Sequence, residues 1–503
     1  MRIFLFFVFA CLFLFAPVAE VFPEGNIVLY SRGYENTYDN KNKNISLEIE
    51  CHSGTPPVLE FVLTDKEKIV KKLYYDFDND GEIDLETDGL REGEKGNEVV
   101  FRGVPYREKG VYTLSVYLET FYGTLMREYV VSFTDFVWGR DNFNFANDGK
   151  FENTINFVST TVIKWAEERF GNLTQDQQAI LLHVMYSMYK GSIGRCYGFS
   201  GGEVYGLEHP DKFLPLYLTT YSLDENDGKI IQEMDYVQND IVFSYFISGQ
   251  IDIKKKQDFV GLISELKKIK DSIGSARPII LGYLSIKMHH SMVVYGYFEN
   301  TFKNSTTLLV ANNWERKQNS NVFSEDAENI VVQFMNENAK VSWYDLTKKK
   351  YRYPRMIFAI VREENYHLDP VDFFNLIENT ENRICENDKI IIMIEMTETA
   401  YIVDDKGKKK GYSKPKYFRE VEDISFKKVD YNYIFEIPKG REYTLILKKG
   451  RYNKEQKKQK DVNVYGIIPL GPDIQSVVYN RIPVDDNLET VFTINEEGIK
   501  LMK

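Results

Sequence analysis

Cys196 stands in GSIGRCYGFSGG, directly after a glycine-rich turn and at the start of a predicted helix. A helix N-terminus favours negative charge, so a thiol placed there is drawn toward the thiolate, the form that attacks carbonyl carbon. Thiol catalysis also needs a base that takes and returns a proton, a group that orients the base, and donors aimed at the developing oxyanion. His290 opens the strand-like run HSMVVYGYF, and His289 beside it must point to the opposite strand face, so only one of the two can face the thiol. Asn312 ends the next such run, TTLLVAN, where hairpin-like pairing would bring its amide to the imidazole and fix tautomer and ring angle. Trp314 would then shield that hydrogen bond. Gly194 allows close backbone approach, and the backbone N–H of Cys196 is one oxyanion donor.

Each of these residues also has a plainer reading. A single Cys in a helix is usually a small buried apolar residue, and Asn at a strand end is usually a turn former. The glycine-rich turn and the matched partners favour catalysis. His183, inside the helical run ILLHVMYSMY, reads as a core histidine, and His52, His209 and His367 have no partners in sequence. Zinc is not expected, because no Cys-x-x-Cys or His-x-x-x-His spacing occurs. A second candidate site is DFDNDGEID, with Asp76, Asp78, Asp80, Gly81 and Asp84 at the first, third, fifth, sixth and ninth positions of a calcium loop. Its twelfth position is Thr87, flanked by Glu86 and Asp88, so the loop is incomplete as an EF-hand. Ca2+ there would stabilise a β-module, and catalysis itself would need no cofactor.

The elements that must hold these residues follow from periodicity. Residues 22–135 alternate with the two-residue rhythm of strands, clearest at Tyr112, Leu114, Val116 and Leu118, and form an all-β module. Beyond Asp135 helices begin, with Ile155, Val158, Val162 and Ala166 at helical spacing. Thr174 and Gln177 have capping-box spacing and open a helix to about Lys190. Another helix starts near Asp258 with Phe259, Leu262, Ile263, Leu266 and Ile269 on one stripe. Short β-branched or aromatic strands follow, giving an α+β domain over residues 136–368. From Pro370 to 503 the pattern returns to strands and predicts a C-terminal all-β sandwich. The fold class is therefore multidomain, with an α+β domain between two β-sandwiches.

A net charge of −12 argues against a nucleic-acid partner. Residues 1–20 carry one Arg before an apolar run from Ile3 to Ala19, which predicts a signal peptide cleaved near Ala16 to Ala19, or an N-terminal anchor, and a secreted or cell-surface protein. Lipidation at Cys11 is not expected, since apolar residues continue past it. Without the leader only Cys51, Cys196 and Cys385 remain, which is no disulfide framework.

The order Cys, His, Asn on helix, strand and strand resembles the papain-like cysteine peptidases. The Cys-Gly-Ser-Cys-Trp motif of that family is met by Ile193-Gly194-Arg195-Cys196-Tyr197, its His followed by Gly-Tyr by His290 and Gly296-Tyr297, and its Asn-Ser-Trp by Asn312-Asn313-Trp314. GRCYGFS, DNFNFAN and LLVANNW look closer still to a divergent bacterial exported branch of the superfamily. The family's oxyanion-hole Gln, six residues before the nucleophile, is Lys190 here, so the second donor is unassigned. The N-terminal module resembles a PKD-type immunoglobulin-like domain, through YYDFDNDG at 74–81 and YREKGVYTLSV at 106–116. These resemblances imply an exported peptidase acting through a Cys196 thioester on a peptide or protein substrate, with the β-modules free to meet a cell-surface or cell-wall polymer. The same fold also serves amidases and transglutaminase-like enzymes. A non-enzymatic adhesin or binding protein with a decayed catalytic domain is the rival from another class.

Overall fold

The computed structural model describes residues 29–30, 45–52, 58–65, 69–88, 98–103, 106, 108–121, 123–136, 140–141, 161–188, 196–208, 228–243, 259–284, 289–300, 304–312, 329–335, 338–345, 350–353, 356–360, 369–395, 397–413, 416–429, 432–450, 452–453, 458–459, 462–482 and 489–502. Among them strands outnumber helices twenty-eight to six, a β-rich multidomain chain at the coarse level expected. The leader lies outside the described residues, and among those described no helix is long and apolar enough to cross a membrane. By contact the chain divides into two compact units. Residues 1–144, 203–222 and 253–361 form the first, and 145–202, 223–252 and 362–503 the second.

The first unit is built on a twelve-stranded sheet. Its central strand, His289–Asn300, changes neighbours half-way. Residues 289–294 pair with Ile279–Leu284, and 296–300 pair antiparallel with Gly123–Phe133 of the N-terminal strand series. The switch falls at the register shift between Val294 and Gly296. Glycine is required there: a Cβ on Gly296 would lie 2.8 Å from the Ser132 carbonyl oxygen and 2.9 Å from Leu309 Cδ1. On the other edge of His289–Asn300, Ser305–Ala311 pairs antiparallel with Val293–Asn300.

One sheet face is closed by the helix Phe259–Gly274, whose buried stripe is Leu262, Leu266, Ile269 and Ile273. These pack on Met292, Val294, Leu308, Val310 and Trp343 in one core. Ile263, expected on the stripe, faces solvent at 44% exposure, because the 4-3-4 spacing of the other four fixes the buried face. The N-terminal strands add a second, three-stranded sheet of Ile45–His52, Val58–Asp65 and Glu98–Gly103. Phe61 of that sheet meets Tyr75 of the large sheet edge-on at 4.7 Å, and both rings are buried.

The second unit holds the helices Ile163–Phe170, Gln175–Met188, Gly228–Ile241 and Pro370–Asn387, together with a sandwich of a five-stranded and a six-stranded antiparallel sheet over residues 389–502. Alternate residues of both sheets share one core, including Ile390, Ile392, Ile402, Leu445, Val464 and Phe492. The capping box forms as the spacing predicts: Thr174 N donates to Gln177 Oε1 at 2.9 Å, and Gln177 N to Thr174 Oγ1 at 3.2 Å. After Pro370 the chain makes a helix where strands were expected. Asp369 caps it by accepting from Val371 N at 2.7 Å, Pro370 opens it, and Phe373, Ile377, Thr380 and Ile384 are its buried face.

Candidate active site

His290 is the second residue of its strand and has no exposed surface. Its parity with Met292 and Val294 sets it on the sheet face covered by the Phe259–Gly274 helix. Asn312 follows the last residue of the neighbouring strand Ser305–Ala311 and is 3% exposed. The structure brings these two together, with His290 Nε2 and Asn312 Oδ1 2.8 Å apart. A carbonyl oxygen can only accept, so Nε2 carries a proton, and in the neutral ring Nδ1 is then the basic nitrogen. In a buried setting this hydrogen bond fixes ring angle and tautomer together. The imidazole also stacks on Trp343, with centroids 6.2 Å apart and planes 19° from parallel. Trp343 is itself fully buried and braced edge-on by Tyr283 at 5.1 Å. Trp343 was missed in the sequence, where Trp314 was expected to cover the imidazole. Trp314 lies outside the described residues.

Cys196 lies in the second unit, is the first residue of the helix Cys196–Glu208 and is 7% exposed. This helix start is anchored through the backbone of Gly198. Gly198 N donates to the buried Gln238 Oε1 at 2.8 Å, and a Cβ on Gly198 would fall 2.3 Å from the Met234 carbonyl oxygen. The glycine two residues after the thiol therefore lets its helix lie directly against Gly228–Ile241. That partner helix is pinned in turn by Asp240, which accepts from Trp165 Nε1 at 2.8 Å and from Arg169 Nη2 at 2.8 Å. Lys190, Ser192, Gly194 and Asn313 lie outside the described residues, as do His209 and His367.

The chain matches no protein-family model and no curated protein. Chemical meaning therefore rests on the residues themselves. Cys385 is partly buried, and its thiol donates to the carbonyls of Pro472 and Asp473 at 3.5 Å each. Burial, then the charges of Glu381 and Asp473, push this thiol up from its ordinary range, away from reactivity. His183 lies in the Gln175–Met188 helix, and burial, helped by Lys427 and Arg383, holds it down at about 4, so it is neutral at physiological pH.

Of the acidic loop, Asp76, Asp78 and Asp84 come together, with one carboxylate oxygen from each inside 4.8 Å of the others. Asp80 Oδ1 instead accepts from Glu82 N at 2.8 Å, and Glu86 pairs with Lys72 across the strands.

Proposed function

We propose that this chain is an exported cysteine hydrolase, and specifically a peptidase of papain-like type, in which Cys196 is the nucleophile, His290 the base and Asn312 the group that orients it. The observation that carries this reading is the buried 2.8 Å contact between His290 Nε2 and Asn312 Oδ1, which leaves Nδ1 as the nitrogen able to take a proton. Position supports the thiol's part, since Cys196 begins a helix whose N-terminal N–H groups favour a thiolate.

The chemistry follows from these groups. His290 Nδ1 takes the Sγ proton of Cys196, the thiolate adds to the substrate carbonyl carbon, and charge moves to the carbonyl oxygen, to which the Cys196 N–H donates. Collapse expels the amine, which takes the proton held on Nδ1, and leaves a thioester on Sγ. Water then gives a proton to Nδ1 as it adds to the thioester. Release of the acid returns that proton to sulfur.

Cys196→Ala should abolish cleavage of a fluorogenic peptide library while leaving the melting temperature unchanged, and undiminished turnover would dismiss the assignment. Iodoacetamide near neutral pH should label Cys196 well ahead of Cys385, and His290→Ala should slow that labelling. If the label enters Cys196 at the same rate with and without His290, the thiol and imidazole do not work as a pair.

A further inference from the structure

We propose that Asp76, Asp78 and Asp84 bind one Ca2+ ion in the loop between the strands Val70–Asp76 and Leu85–Asp88, and that the ion locks this loop in its folded form. The proposal is independent of the peptidase reading.

Two ligands on opposite sides of a Ca2+ ion, each at about 2.4 Å, stand about 4.8 Å apart. The three carboxylates each offer an oxygen within that span of the others, so a single ion seated among them needs at most a small closing movement to bind all three. The second observation is Asp76 itself. Its side chain has no exposed surface, and while Oδ2 accepts from Gly81 N at 3.1 Å, Oδ1 is buried without a hydrogen-bond partner. A carboxylate oxygen sealed from water with nothing to meet it is unfavourable unless a cation meets it, and this one belongs to the carboxylate that the other two approach. Hard oxygens of three formal charges suit Ca2+, which accepts irregular geometry, better than Mg2+, which holds its waters and demands an octahedron.

The loop's backbone is shaped to this end. Asn79 and Gly81 take positive φ, 59° and 91°, which turns the chain back on itself. Phe77 N donates to Asp84 Oδ2 at 2.7 Å, setting the last carboxylate beneath the first turn. Asn79 Oδ1 accepts from Ser115 Oγ at 2.8 Å, which ties the loop tip to the strand Gly110–Thr120. The helix that follows an EF-hand loop is replaced by a strand, and Glu86, one of the two acidic residues flanking the missing bidentate position, is held by Lys72. Three carboxylates, with water or main-chain oxygens completing the shell, make the site.

The test uses the whole protein, stripped with EGTA and titrated with CaCl2 by calorimetry and by thermal melting, with MgCl2 as control. About one Ca2+ per chain should bind, the melting temperature should rise by several degrees, and MgCl2 should bind about tenfold or more weakly. Asp78 is exposed, so Asp78→Asn should fold normally in EGTA and lose about tenfold or more in Ca2+ affinity. Asp76→Asn removes the buried charge, and in EGTA it should melt at or above the wild-type temperature while losing the Ca2+ response. Absence of a calcium response in the wild type, or a response of wild-type size in both variants, would overturn the site.

Discussion

At the residue scale the imidazole of His290 is held from two directions, by the Asn312 carbonyl along its plane and by Trp343 across its face. The first contact sets which nitrogen of the neutral ring is basic, so in the proposed mechanism Asn312 is a positioning residue whose loss should act on chemistry through the tautomer. Asn312→Ala should lower kcat/KM by about tenfold or more with KM little changed, because an unanchored imidazole populates the wrong tautomer and angle. Asn312→Asp keeps an acceptor for Nε2–H and should recover much of that loss. A merely structural Asn312 would give two equally impaired variants, and steady-state kinetics of the pair separates these outcomes. The pairing of His290 with Asn312 could be reasoned from residue types at the ends of two successive strands. Trp343 could not, because it comes from a strand two places further along the sheet and nothing in its local pattern connects it to His290.

At the element scale, glycines allow backbone to meet backbone. Gly198→Ala would drive a Cβ into the Met234 carbonyl, a main-chain atom that cannot swing aside, so the Cys196 helix must shift. The expected cost is about 1–3 kcal/mol in a urea melt, with slower labelling of Cys196. A variant with unchanged stability and labelling would show that the helix start does not depend on this approach. Local chemistry made several elements legible. The Thr174–Gln177 box places a helix start to the residue, and the stripe through Leu262, Leu266 and Ile269 places another. The Pro370–Asn387 helix stands where the sequence pattern predicts strands, although Asp369-Pro370 is a helix-opening pair and Phe373, Ile377 and Ile384 recur on one face. Its polar stretch Glu378–Arg383 hides that face between two apolar positions.

At the scale of the whole molecule, contacts between distant segments are what the sequence hides. Strand pairing between Gly123–Phe133 and the half of His289–Asn300 beyond the bulge carries no local signature, yet it makes the N-terminal strands and the His290 strand one sheet. In the second unit the helix Gln175–Met188 is fastened to the C-terminal sandwich at both ends. Asp176 and Gln175 bond the backbone of Ser476, Tyr186 donates to the buried Glu395 at 2.5 Å, and Lys427 Nζ donates to the last carbonyls at Tyr186 and Ser187. His183 rides on this helix and is depressed first by burial, then by Lys427 from the sandwich and Arg383 from the Pro370–Asn387 helix. As pH falls, the unfolded chain takes up the His183 proton near its ordinary 6.5, whereas the folded chain declines it until about 4. Protons thus favour the unfolded state across that window, so the contribution of a neutral His183 is complete above pH 6.5 and drains away as pH falls to 4. A displacement of that size corresponds to about 3 kcal/mol, and because the ring borders a cavity of about 510 Å³ that figure is a ceiling. His183→Gln, which cannot titrate, should lose less stability than the wild type between pH 6.5 and 4 in urea melts followed pH by pH. Below pH 4 the two curves should run parallel. Parallel curves across the whole window would mean that the sandwich and helices do not keep this histidine neutral.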